Sequence, residues 1–216
     1  MNNFPNLRKP EGSLYCGPYC VVACLYSFGI LDKVLPAELN RYDPVTKTFD
    51  GRSVSVLSNH NLDQLAITIY EITGILTRGV NPKYIEHSGN NSISAMVYIL
   101  NKFGLKTELI IKDKATYSEL YQAFPSEFEL MDTMETSVTI LNKNSAALPN
   151  SILISIIGYP NTTHYVASNE QLEWFDPELD GNTFDWDAIE LWDVSAKKRQ
   201  SAYWLGVSIR VTNPNT

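Results

Sequence analysis

The sequence predicts an α+β fold: one domain over residues 1–216 in which an N-terminal helical half packs on a C-terminal antiparallel β-sheet. Three observations predict it. Apolar residues recur at helical spacing through the first half, apolar runs of strand length separated by turn signals fill the last third, and no repeat, low-complexity tract or linker divides the chain. At 216 residues, 44% apolar and 19% charged, the chain is long enough to bury a full core and has a globular balance. The helical part is expected to run to about residue 125 and the sheet part to cover about 150–212.

The first helix is expected over about Gly17–Phe28. Pro18 fits a first helical turn, where its missing N–H costs nothing, and Gly29 supplies the stop. Cys20, Val21, Val22, Ala23, Cys24, Leu25 and Phe28 wrap most of the circumference, which predicts a helix buried in the core. Residues 41–61 are rich in Asp, Thr, Ser, Asn and Gly and read as a long irregular connection. Asn61 then caps a second helix whose apolar positions are Leu62, Leu65, Ala66, Ile69 and Ile72, ending before Gly74.

After a loop over Asn81–Asn91, the clearest helical period in the chain is Ile93, Met96, Val97, Leu100 and Phe103, closed by Gly104. Leu105–Lys112 alternates as a strand, and a short helix is expected over about Tyr117–Phe124. From there to Pro149 no period is clear. Strands follow at Ile152–Ile157, His164–Ala167, Leu172–Phe175 and Trp204–Val211, the first three joined by Tyr-Pro-Asn-Thr-Thr and Ser-Asn-Glu-Gln turns.

A net charge of −7 and the lack of any Lys or Arg run argue against a nucleic-acid partner, since binding a phosphate backbone draws on counterion release by clustered cations. The apolar run Ile152–Ile157, interrupted by Ser155, is far too short to span a bilayer, so no membrane partner is expected. The first ten residues lack the apolar core of a secretory signal, which predicts a cytoplasmic protein or one exported by a route without a cleavable signal peptide. Cys16, Cys20 and Cys24 are the only cysteines and stack along one helix face, a poor geometry for pairing, so a disulfide framework is not expected. Trp174–Asp193, rich in acidic and aromatic residues, reads as a solvated helix end with a few buried tryptophans rather than a face that receives a basic peptide.

Of the three thiols, only Cys16 precedes Pro18 and so lies at the helix mouth, where unpaired N–H groups and the positive end of the dipole favour a thiolate. Cys20 and Cys24 lie one and two turns inside and read as small buried hydrophobes. A thiolate needs an acid/base partner, usually a histidine held by an acceptor on its other nitrogen. His60 and His87 fall in polar loops, whereas His164 opens a strand, and twelve residues later the next strand ends in Trp174-Phe175-Asp176-Pro177. Two antiparallel strands joined by a short turn place the start of one beside the end of the other. Cys16 is therefore the candidate nucleophile, His164 the general acid/base and Asp176 the carboxylate that sets the imidazole tautomer. With no Cys-x-x-Cys and only scattered histidines, no metal or other cofactor is called for.

Tyr15-Cys-Gly-Pro-Tyr-Cys-Val-Val-Ala-Cys-Leu-Tyr-Ser-Phe-Gly29 resembles the cysteine-helix segment of the papain-like peptidases, most closely those related to the bacteriocin-leader (double-glycine) peptidases. The order Cys, then His on a strand, then Asp followed by Pro is similar as well, and Ser92–Lys112 adds a weaker likeness. The resemblance implies a papain-like fold and cleavage of a peptide or isopeptide bond in a peptide or protein substrate through a Cys16 thioester. A transglutaminase-like acyltransferase and a papain-like binding or regulatory protein without turnover are the alternatives it leaves. The family's oxyanion hole uses a side-chain donor, usually Gln, several residues before the cysteine, but here stand Pro10, Glu11, Gly12 and Ser13. An ionised Glu11 cannot donate, which leaves Asn6, Ser13 or the backbone N–H groups around Cys16.

Overall fold

A computed structural model describes residues 3–31, 37–56, 61–76, 88–141, 146, 148–179 and 183–215, in which five α-helices pack on a seven-stranded mixed sheet. The elements are α1 (Cys16–Ser27), β1 (Ala37–Asn40), β2 (Ser53–Val56), α2 (Leu62–Thr73), β3 (Gly74–Leu76), β4 (Asn90–Asn91), α3 (Ile93–Lys102) and β5 (Lys106–Ile111). There follow α4 (Lys114–Ala123), α5 (Pro125–Thr133), β6 (Ser137–Ile140), β7 (Ser151–Gly158), β8 (Thr163–Asn169), β9 (Glu173–Phe175), β10 (Phe184–Asp185), a 3₁₀ turn (Ile189–Leu191) and β11 (Tyr203–Thr212). The fold is mixed α+β.

α1 begins at Cys16 and is buried along its whole length except at Tyr26. It packs against α2 and α3 on one side and β7 and β8 on the other, so its apolar circumference is used in full. Gly29, at φ +63°, ends it in the left-handed region, with the Ile30 N–H donating back to Leu25 O at 3.0 Å. Asn61 caps α2 by accepting from the Gln64 N–H at 3.0 Å, and Ser92 caps α3 by accepting from the Ala95 N–H at 3.0 Å.

The sheet order is β10-β9-β8-β7-β11-β5-β6. Every pairing is antiparallel except β5 with β6, which run parallel through a crossover made of α4 and α5. β5, expected as a strand within the helical part, joins this sheet and pairs with β11, the last strand. Strand pairing is decided by the complete sheet, and no local period shows it.

Three segments depart from expectation. Residues 41–61 are not all irregular, because β2 pairs with β1; the alternation Ser53-Val54-Ser55-Val56 buries Val54 and Val56 on one face. The stretch without a clear period, up to Pro149, contains α5, with Pro125 in its first turn, and β6. Trp174–Asp193 forms no α-helix among its described residues; Trp174 and Trp192 are fully buried 4.9 Å apart and anchor a second apolar cluster with Trp204, Ile189 and Val166. Much of Asn81–Asn91, with His60 and His87, lies outside the described residues.

Candidate active site

The first turn of α1, the start of β8 and the residue after β9 meet at one end of the sheet. Cys16 is the first residue of α1, so its own N–H lacks an acceptor within the helix, and Pro18 has no N–H to satisfy. β8 pairs with β9 at Ala167–Phe175 and Ser168–Trp174, which carries His164 and Asp176 to diagonal positions across the ladder. His164 Nε2 lies 2.8 Å from Asp176 Oδ1. Asp176 Oδ1 also accepts from the Glu178 N–H at 2.8 Å, so the residue that starts the turn is the one that holds the ring. The other ring nitrogen, Nδ1, stands 3.8 Å from Glu178 Oε1, and the ring is close enough to Cys16 for each to shift the other's ionisation. The structure thus brings the three sequence-predicted residues together.

The electrostatics favour a thiolate facing an imidazolium. Burial opposes ionisation of Cys16 and is the largest single effect. The His164 hydrogen bond and charge, the Tyr165 backbone N–H and the Lys9 charge together outweigh it and bring the thiol below its ordinary value. His164 is likewise disfavoured as a cation by burial, yet the Asp176 and Cys16 partners raise it from 6.5 to about 9. Asp176 stays low although burial pushes it up, because His164, the Glu178 N–H and Arg199 stabilise its anion. Burial pushes Cys20 and Cys24 well above an ordinary thiol, so position along one helix separates a reactive sulfur from two inert ones.

Several residues at the site carry no local signal in the sequence. Lys9, 6% exposed, donates from Nζ to Ser13 O at 2.9 Å and stands 3.3 Å from Glu178 Oε1. Arg199 Nε lies 3.3 Å from Asp176 Oδ2 and donates to the Tyr159 hydroxyl at 3.0 Å. His164, Asp176 and Glu178 offer ligand atoms within 4.8 Å of one another, a spacing a cation could use, but Lys9 and Arg199 already supply positive charge to these carboxylates. Asn91, from β4, donates from Nδ2 to Leu14 O at 2.7 Å and toward Cys16 Sγ at 3.8 Å. Each is distant from Cys16 in sequence or looks like an ordinary surface polar residue; only the fold recruits them.

A cavity of about 960 Å³ opens from Cys16 and Asn91 between the sheet and the α4–α5 pair. Leu109, Leu120, Phe128, Met131, Ile156 and Val207 give it a mostly apolar lining. Glu127 lies in its wall, buried, with its carboxylate accepting from the Ser92 and Ser94 hydroxyls and from the Ser94 N–H at 2.8 Å.

A helix-mouth thiol beside a carboxylate-held imidazole, opening onto a substrate-sized cavity, is the arrangement of a cysteine peptidase. The chain belongs to the family described as Invasion plasmid antigen J, cysteine protease, whose model matches residues 8–214. No match was found among curated proteins or among solved structures. The protein is therefore a cysteine protease acting on peptide or protein substrates, and among the described residues no helix is long and apolar enough to cross a membrane.

Proposed function

We infer that this protease is papain-like in arrangement and cleaves a peptide or isopeptide bond through a Cys16 thioester, with His164 as acid/base and Asp176 as the tautomer-setting carboxylate. The observation that supports this reading is the His164–Asp176 hydrogen bond at 2.8 Å, with Cys16, which lines the cavity, close enough to His164 for each to shift the other's ionisation. The Cys16 thiolate attacks the scissile carbonyl carbon, forming an S–C bond while the carbonyl π pair moves to oxygen. As that pair returns, the C–N bond breaks and the Nδ1 proton of His164 passes to the leaving amine. Water then attacks the thioester, gives its proton to His164, and the S–C bond breaks to release a carboxylic acid and restore the thiolate. The apolar cavity walls favour a substrate with an apolar portion next to the scissile bond, since burying that surface contributes roughly 25 cal/mol per Å². Three free thiols fit work in a reducing compartment such as the cytoplasm.

The test is stoichiometric alkylation by iodoacetamide at pH 6–7, followed by a peptide-library cleavage screen. Cys16 is expected to react much faster than a thiol of the denatured chain and to lose that advantage in His164→Ala. Equal rates in the native protein, the denatured chain and the variant overturn the activated-thiolate reading. Fast alkylation without any cleavage moves the assignment to acyl transfer onto an amine.

A further inference from the structure

We propose that Asn91 is the side-chain donor of the oxyanion hole, replacing the glutamine that papain-like peptidases carry upstream of the cysteine. The proposal rests on the assignment of Cys16 as nucleophile. The upstream candidates do not serve. Asn6 is exposed, Glu11 as an anion only accepts, and neither Ser13 nor Lys9 lines the cavity, the Lys9 ammonium being turned to Ser13 O and Glu178. Asn91 stands seventy-five residues after Cys16 in sequence, yet it lines the cavity beside it and is only 7% exposed.

Its carboxamide is held in one orientation. The Thr73 hydroxyl donates to Oδ1 at 2.9 Å, which makes that atom the acceptor and turns the NH₂ group toward α1. One Nδ2 proton is used by Leu14 O at 2.7 Å; the other faces Sγ at 3.8 Å, a distance too long for a strong bond to sulfur. The backbone is pinned on both sides, by the Tyr165 hydroxyl donating to Asn91 O at 3.0 Å and the Ser92 N–H donating to Thr73 O at 2.8 Å. Gly17 makes the approach possible, because a Cβ there would lie 2.9 Å from Asn91 Cβ and Cγ. When thiolate attack moves the carbonyl pair onto oxygen, that oxygen is placed to receive the free Nδ2 proton and the Cys16 N–H, which the helix leaves unpaired.

The largest influences on the Cys16 thiol are burial, His164, the Tyr165 N–H and Lys9, and the Asn91 contact with sulfur is long at 3.8 Å, so stabilisation of the oxyanion and activation of the nucleophile are separable by experiment. The probes are p-nitrophenyl acetate, whose single-turnover release of p-nitrophenolate passes through an oxyanion, and iodoacetamide, whose displacement by thiolate does not. Asn91→Ala is expected to slow acylation by roughly 10²–10³ while alkylation at pH 7 stays within about threefold. Thr73→Val, which leaves the carboxamide in place but unanchored, is expected to slow acylation by about tenfold with the same sparing of alkylation, and it carries the test if Asn91→Ala does not fold. An acylation loss below about fivefold in both variants, or equal falls in acylation and alkylation, overturns the proposal. If the unaltered protein alkylates no faster than its denatured chain, the nucleophile assignment fails first and takes this proposal with it.

Discussion

His164 Nε2 and Asp176 Oδ1 stand 2.8 Å apart from positions twelve apart in sequence, joined through the β8–β9 hairpin and the turn that Asp176 itself begins. One carboxylate therefore holds a ring and a backbone bend together. Asp176→Ala removes both and leaves the Arg199 guanidinium with Glu178 as its remaining carboxylate partner. A fall of roughly 10²–10³ in kcat is expected, within the range of acid/base contributions. Asp176→Asn retains an acceptor for Nε2–H and for the Glu178 N–H and should lose less. Steady-state kinetics on a cleaved peptide, with circular dichroism as a folding control, measure the difference, and equal losses in the two variants would refute the orienting role.

The three cysteines should differ sharply in reactivity. Cys20 and Cys24 are fully buried and held protonated by their apolar surroundings, while Cys16 borders the cavity. Mass spectrometry after brief iodoacetamide treatment at pH 7 is expected to show a single adduct, on Cys16. Cys20→Ala and Cys24→Ala should keep cleavage activity and lower stability by about 1 kcal/mol each, the scale of a small core cavity. Cys16→Ala should abolish cleavage.

The acylation rate should follow a bell in pH. It rises as Cys16 loses its proton, with a midpoint below the ordinary thiol value of 9.0, and falls as His164 loses its proton, at about 9. Both limbs belong to the coupled pair rather than to either residue alone. In Asp176→Asn the removal of negative charge disfavours the imidazolium, so the alkaline limb should move to lower pH. An alkaline limb that does not respond would mean that another group sets it.

Glu127 gives a prediction on stability. Burial raises its carboxyl above 4.5, against the pull of the Ser92 and Ser94 hydrogen bonds. The folded state thus holds a proton that the unfolded state releases, and this residue's contribution to stability declines as pH rises from 4.5 through the shifted value. Glu127→Gln, neutral throughout, should show no such decline. Its Tm relative to the unaltered protein is expected to grow more favourable between pH 4.5 and 7, which calorimetry at a series of pH values checks. Glu127→Ala should instead be destabilised by about 1–3 kcal/mol, since it strands the buried Ser94 N–H and two hydroxyls.

Much of the local structure was legible because its causes are local. Pro18 and Gly29 bracket α1, Asn61 and Ser92 cap α2 and α3, and the apolar runs from Ser151 onward become β7, β8 and β11. A helix-mouth thiol and a histidine twelve residues from an aspartate could be paired on paper, because a hairpin fixes that proximity whatever surrounds it. The β1–β2 pair and β6 were not legible, because these strands are only four residues long and the evidence for them is a pairing rather than a period. Trp174–Asp193 misled for a related reason, since its buried tryptophans pack in the apolar cluster with Trp204, Ile189 and Val166 and not on a helix of their own.

The sequence by itself determined the helix that presents Cys16, the two inert thiols behind it, and the strand and turn that carry His164 and Asp176, all set by backbone propensity and neighbours within a few residues. Only the tertiary structure decided that Cys16 and His164 come near enough to shift each other's ionisation, that Lys9, Tyr165 and Arg199 tune the charges around them, and that Asn91 comes up against Gly17. Those contacts join positions up to a hundred and more residues apart, and they exist because burying the apolar faces of α1 and the sheet brings them together; no stretch of chain holds that information alone.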